Sequence, residues 1–280
     1  MRSTVFTGKS ALITGASSGL GEEFARQLVQ WGAAHLILTA RRTDRLLKLK
    51  AGLLTEHPGL RVDTFPADLA ASAGVAALTA ALDQQNIAPD IVINNAGFGD
   101  LGTFETSDSA KIEAMLALNV TALTLLTRWA IRSMLAKKSG WICNVGSTAG
   151  LLPLPTFAVY GATKAYVNSF SEALRAELHG SGVFVTALLP GPVETEFGQV
   201  ASRANSRRQF APPAFLCVDK GDVVRETLDA MARGQGRIIP GLPVRLPMLL
   251  VESVPRWLLR FIFNLSSGNF RRERQDGKKA

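Results

Sequence analysis

The chain has 280 residues, 47% of them apolar, enough for one large buried core, and nothing in it suggests disorder on a large scale. Its net charge of +8 is partly a tail effect: from Arg245 onward eight Arg and Lys residues face only Glu252, Glu273 and Asp276, with no aromatic-basic alternation of the kind that builds an RNA platform, so nucleic acid is not an expected partner. Cys143 and Cys217 have no metal-like spacing and the first ten residues lack the apolar stretch of a signal peptide, so an intracellular, cytoplasmic chain in a reducing compartment is expected.

In chain order, strand-like apolar runs fall at 10–14, 35–39, 61–65, 90–94, 141–145, 183–189 and 236–239, with longer helix-like stretches between them. That alternation predicts an α/β fold: a single Rossmann-like doubly wound parallel sheet of seven strands with helices on both faces. The first run leads into Thr14-Gly15-x-x-x-Gly19-x-Gly21 and then into apolar positions Phe24, Leu28 and Trp31. Glycines there let the backbone turn sharply and approach a pyrophosphate, while the following helix N-terminus offers free N–H groups to the anion.

Two regions depart from the alternation. Residues 191–219 carry GPVETEFG, several basic residues and Pro212-Pro213, a long connection expected to be a lid or binding loop. Residues 240–270 are rich in Leu, Phe and Trp but are broken by Pro247, Pro255, Glu252, Arg256 and Arg260, which argues against a membrane-spanning helix. The chain is therefore divided into a dinucleotide-binding and catalytic domain at 1–240 and an extension at 241–280. The extension is expected to pack on the domain or a partner, with peripheral membrane contact the less favoured alternative.

Tyr160 and Lys164 stand four apart on a helix-like stretch and should share one face. An adjacent ammonium favours the phenolate of a tyrosine, whose ordinary pKa is about 10. Ser147, just after the fifth strand, can hold a carbonyl oxygen, and Asn119 can bind a backbone group or a water that links the lysine to solvent.

Together these residues resemble the short-chain dehydrogenase/reductase family over roughly residues 8 to 240. The glycine turn matches its cofactor motif, Asn94-Asn95-Ala96-Gly97 the motif after its fourth strand, and Asn119, Ser147, Tyr160 and Lys164 its catalytic tetrad in order. Pro190-Gly191 and Thr195 resemble the segment beside nicotinamide, and Asp68 the residue near adenine, although Asp68 could equally be the N-cap of the next helix. The resemblance implies hydride transfer between a nicotinamide cofactor and a carbonyl or secondary alcohol, with Tyr160 as acid/base, Ser147 orienting the oxygen, Lys164 lowering the tyrosine pKa and binding ribose, and Asn119 supporting a proton relay. Cofactor contacts are expected from Gly15, Ser17, Ser18, Gly19, Leu20, Gly21, Asp68, Leu69, Asn95, Ala96, Gly97, Tyr160, Lys164, Pro190, Gly191, Val193 and Thr195. A homodimer or homotetramer is implied, and no metal.

After the second strand Ala40 is followed by Arg41 and Arg42 rather than by an acidic residue that would repel a 2′-phosphate. NADP(H) is therefore expected, read chiefly by Arg41 with Ser17 or Arg42 assisting; NAD(H) is the alternative. A regulator that binds cofactor without chemistry is the reading from a different class, and the intact tetrad argues against it. Phe98, Leu151, Leu152, Phe157, Phe197 and Phe210 suggest a lipophilic carbonyl or alcohol substrate.

Overall fold

The computed structural model of the protein describes residues 4–203, 212–255, 257–259 and 261. Seven strands, Ser10–Thr14 (β1), His35–Ala40 (β2), Arg61–Pro66 (β3), Ile91–Asn94 (β4), Gly140–Val145 (β5), Val183–Leu188 (β6) and Arg237–Ile238 (β7), form one parallel sheet in the order β3-β2-β1-β4-β5-β6-β7. The chain winds outward from β1 to β3 and then returns to start β4 beside β1. That reversal opens a crevice at the carboxyl ends of β1 and β4, where open α/β sheets bind ligands.

Alternation along the strands explains the two layers. Ile13, Leu38, Ile93 and Cys143 point to one face, under helices Gly19–Gln30 (α1), Thr43–Glu56 (α2) and Lys220–Ala232 (α8). Their neighbours Leu12, Ile37, Val92 and Ile142 point to the other face, with Gly74–Gln84 (α3) and Leu123–Lys137 (α5). Strands buried on both faces read as unbroken apolar runs, which is why they stand out in the sequence.

The ends of the runs differ from the apolar pattern. Asp90 lies outside β4, where its carboxylate accepts from the Ser10 N–H at 3.0 Å and the Ser10 hydroxyl at 2.8 Å. β7 keeps two residues of its apolar run, because the ladder to β6 spans only Ala187 and Leu188. The connection after β6 contains a short helix, Phe197–Ala201 (α7), and a 3-10 turn, Ala214–Leu216; Phe210 lies outside the described residues. After β7 comes a helix, Leu242–Ser253 (α9), which accommodates Pro247 and packs beside β6 through Val244 and Met248.

Polar groups also cross the core. Asn94 Nδ2 donates to Asn144 Oδ1 at 2.9 Å and to Thr127 Oγ1 at 2.9 Å, and Asn144 Nδ2 donates to Ser171 Oγ at 3.0 Å. Helix Ser109–Leu116 (α4), a π-helical turn Ala117–Ala122 and α5 run on as one 29-residue helix that contains an 18-residue stretch of mean hydropathy 1.4, long and apolar enough to cross a membrane by composition. Here Met115, Asn119, Ala122, Leu126, Ala130 and Met134 are buried in the domain, so one side of this helix is core, while Leu116, Leu125 and Leu135 are exposed on the other.

Candidate active site

The crevice is held open by Thr14, the last residue of β1. Its hydroxyl oxygen accepts from the Asn95 and Ala96 N–H groups, each at 2.9 Å, and Asn95 Nδ2 donates back to the Thr14 carbonyl at 2.9 Å. The glycine turn therefore faces the 95–97 shelf across a fixed gap. Gly15 has φ +66°, and a Cβ there would stand 2.8 Å from Asn95 Nδ2; a Cβ on Gly21 would meet the Gly15 carbonyl oxygen at 2.3 Å. Only glycine lets α1 seat against this turn with its N-terminus on the crevice.

Arg42 projects across the turn: its guanidinium donates to Ser17 Oγ at 3.1 and 3.2 Å and to Ser18 Oγ at 2.7 Å, and pairs with Glu196 at 2.8 Å. The other Glu196 oxygen takes Arg45, and the two arginines, Arg45 foremost, hold the Glu196 carboxyl down at about 2. Arg41, expected to be the principal reader, is exposed at the rim of the same cleft. Asp68 does not cap α3, whose N-cap is Ala73; its side chain accepts from Ala70 N at 3.0 Å and closes a turn ahead of that helix.

On the catalytic side, Ser147 follows β5 and caps a 3-10 turn, Thr148–Gly150, by accepting from Ala149 N at 3.0 Å. Helix Ala158–Glu177 (α6) brings Tyr160 and Lys164 onto one buried face, one turn apart. The phenol hydrogen-bonds with Ser147, and its ring lies between Phe157 and Phe197 at centroid distances of 5.4 and 5.2 Å. Burial pushes the Tyr160 phenol up to about 12, with the Ser147 contact pulling the other way.

The expected lowering by Lys164 is therefore not what this site has. Lys164 Nζ donates to the Val145 carbonyl at 2.7 Å, lies 5.8 Å from the phenol ring centroid, and is itself pushed down to about 8 by burial. Burial is the first cause of both shifts.

Asn119 sits on the π-helical turn, behind the shelf. Its Oδ1 accepts from Phe98 N at 3.1 Å, and its Nδ2 donates to the Phe98 carbonyl at 2.9 Å and to Thr163 Oγ1 at 3.1 Å. These are the backbone contacts expected of it. Gly97 is wedged between them: a Cβ there would come within 3.0 Å of Asn119 Oδ1 and 3.5 Å of Lys164 Nζ.

One cleft of about 450 Å³ joins the two halves. Every expected site residue lines it except Gly21, packed beneath the turn, and Asn119, behind Gly97. Beyond Tyr160 the wall is apolar, formed by Phe98, Leu152, Leu154, Phe157, Phe197, Val200 and Met248. Of the residues expected there, Leu151 packs instead with α9 in the core beside β6. Glu196, Leu154 and Val200 were not anticipated; the acidic residue next to Thr195 was the one visible signal among them.

A doubly wound sheet with a glycine cradle and a buried Ser-Tyr-Lys set on the same cleft defines a nicotinamide-dependent oxidoreductase. The short chain dehydrogenase family model matches residues 9–206. The chain is 39% identical over 201 residues to the NADP-dependent 3-hydroxy acid dehydrogenase YdfG of Salmonella typhi, covering 70% of this chain and 78% of that one. Its structure is similar to a short-chain dehydrogenase from Sphingobium yanoikuyae in complex with NADPH, with TM-score 0.74, 33% identity and coverage of 88% and 96%. A bulky-bulky ketone specific alcohol dehydrogenase from Comamonas testosteroni gives TM-score 0.72 at 30% identity, covering 92% and 94%. The chain belongs to the short-chain dehydrogenase/reductase family.

Proposed function

We propose that the protein is an NADP(H)-dependent oxidoreductase that interconverts a lipophilic ketone and its secondary alcohol. The observation that carries this reading is the buried Ser147–Tyr160–Lys164 set opening on the same cleft as the glycine turn. The cleft fits the cofactor: Gly15 and Gly21 let the turn, the 95–97 shelf and α1 close up where a Cβ would clash, which sets the helix N-terminus on the cleft, and Arg41, Arg42, Ser17 and Ser18 offer donors to a 2′-phosphate. Leu20, Asp68, Leu69, Asn95–Gly97, Lys164, Pro190, Gly191, Val193 and Thr195 complete the cradle. When bound, NADP(H) supplies hydride chemistry at its nicotinamide.

The chain's own residues handle the oxygen and its proton. With its phenol at about 12, Tyr160 is protonated at neutral pH and is suited to donate to a substrate carbonyl oxygen. Ser147 holds that oxygen beside the phenol. Lys164, charged below about 8, keeps a positive potential under the site and hydrogen-bonds the β5 carbonyl end. Asn119 fixes the Gly97–Phe98 shelf. The apolar wall beyond Tyr160 favours a ketone with apolar substituents. Self-association as a homodimer or homotetramer is supported by exposed Leu116, Leu125, Leu135 and Tyr166 on the central helices.

Cofactor oxidation with NADPH and NADH across bulky ketones, small ketones and 3-oxo acids tests this, with direct cofactor binding in parallel. NADPH-preferring turnover of bulky ketones is expected. NADH preference would transfer the assignment to NAD(H), and binding without turnover across the panel would favour a regulator.

A further inference from the structure

α9 has two apolar sides. The inner one is accounted for: Val244, 3% exposed, packs against Gly191 and the core beside β6, and Met248 reaches the cleft wall. The outer one is not. Leu242, Leu246, Leu249 and Leu250 are 63%, 59%, 52% and 72% exposed, at the i, i+4, i+7, i+8 spacing of one helix face. The next helical residues repeat the pattern, with Trp257 68% and Phe261 56% exposed. An exposed apolar stripe of this kind marks an interaction surface.

Charge says what it meets. The two described charges of α9 are tied to the domain: Arg245 donates to the Ile239 carbonyl at 2.8 Å and to Glu226 at 2.7 Å, and Glu252 accepts from Arg237 at 2.7 Å. After Pro255 the sequence carries seven basic residues, Arg256, Arg260, Arg271, Arg272, Arg274, Lys278 and Lys279, against Glu273 and Asp276. An apolar stripe with an aromatic anchor, continuing into a strongly basic segment, complements an anionic lipid surface. A second copy would bring two such basic segments together, and like charges repel.

We infer that the outer face of α9, Leu242 to Leu250, together with exposed Trp257 and Phe261 of the segment after Pro255, docks peripherally on a bilayer containing anionic phospholipid. Because Met248 on the same helix lines the cleft, docking places the cleft wall one helix thickness from the lipid. If the substrate is the lipophilic ketone proposed above, it enters from the bilayer; the docking itself does not depend on that reading.

The test uses the full chain with vesicles of phosphatidylcholine alone or with about one-third phosphatidylserine. Flotation with the anionic vesicles is expected to exceed that with neutral ones by about tenfold or more, and to fall as salt rises from roughly 0.1 to 0.5 M. The variant Leu246→Gln/Leu249→Gln/Leu250→Gln is expected to lose binding on the order of a hundredfold while its thermal unfolding and NADPH binding stay those of the wild type. Brominated phosphatidylcholine, in mixed vesicles, gives a readout independent of that variant's folding: it should quench wild-type fluorescence, and Trp257→Phe should remove the quenching. Wild-type protein that stays with the aqueous fraction would overturn the inference, as would unquenched Trp257. A triple variant that binds no less tightly, or one that only lowers the oligomeric mass of a chain that never floats, would do the same and in the second case assign the face to self-association. Failure of the ketone assay with vesicle binding intact would overturn the substrate reading alone.

Discussion

Gly21→Ala tests the cradle with a single methyl group. The new Cβ would sit 2.3 Å from the Gly15 carbonyl oxygen and 2.6 Å from Asn95 Nδ2. That is more than 1 Å inside ordinary contact, and the nearest neighbour is backbone that cannot rotate away. Either α1 lifts from the turn by about 1 Å or the turn itself shifts. Overpacking of this kind costs about 1–3 kcal/mol, offset by up to about 1 kcal/mol from replacing glycine inside a helix. The net loss of about 0–3 kcal/mol should lower the melting temperature by up to roughly 12 °C. Displacing the cradle by about 1 Å should weaken NADPH binding by about tenfold to a hundredfold, measured by calorimetric titration. Gly52→Ala is the control, because its Cβ meets nothing within 4 Å and it lies in α2; it should gain about 0.5–1 kcal/mol with no change in cofactor affinity. A Gly21→Ala protein with wild-type melting temperature and affinity would refute the account of why glycine stands there.

Tyr160→Phe should reduce turnover by about 10²- to 10⁴-fold while circular dichroism stays unchanged; full activity would remove Tyr160 from proton transfer. Lys164 bears a cost for its place. With a folded pKa of about 8 against 10.5 when free, the unfolded chain binds more protons between those values, so this group's contribution to stability rises as pH climbs from about 8 to 10.5, and its full penalty is present below 8. Lys164→Met should therefore abolish turnover yet stabilise the fold at pH 7 by about 3 kcal/mol less about 1 kcal/mol for the lost bond to Val145, and urea unfolding at pH 7 showing a less stable variant would contradict this. Arg41→Ala and Arg42→Ala should each erode the NADPH-over-NADH preference, by up to about tenfold to a hundredfold for the arginine that bonds the phosphate. A variant pair retaining full preference in competitive titration would leave both arginines as solvated or structural groups.

The strands were legible because residues such as Leu12 and Ile13 are buried on opposite faces, so both had to be apolar. The tetrad was legible because Tyr160 and Lys164 share one helix face and Ser147 follows a strand. Contacts made by side-chain reach rather than by local pattern were not legible. Arg41 and Arg42 are neighbours in sequence, and only the fold decides which one turns inward to Ser17 and Ser18. Glu196 meets Arg42 across 154 positions, and Arg203 grips buried Asp100, at 2.6 Å, across 103. The Tyr160 pKa was misjudged because four-residue spacing gives proximity but says nothing of how completely the pair is removed from water. α9 was hidden by Pro247, whose missing donor a helix tolerates when packing through Val244 and Met248 compensates.

The amide pair of Asn94 and Asn144 acts as a parity check on the sheet. The two residues are direct partners in the β4–β5 register, and each amide also holds a helix, Asn94 through Thr127 and Asn144 through Ser171. A slip of one position would set Asn94 against Cys143 or Val145 and strand two amides in the core, at about 1–3 kcal/mol for each unpaired group. Apolar strands alone would tolerate such an error far better, since one branched side chain substitutes readily for another. The check sits one residue before the Asn95–Gly97 shelf and three before Ser147, so a misregistered sheet is penalised at the point where misregistration would separate the cofactor cradle from the acid that serves it.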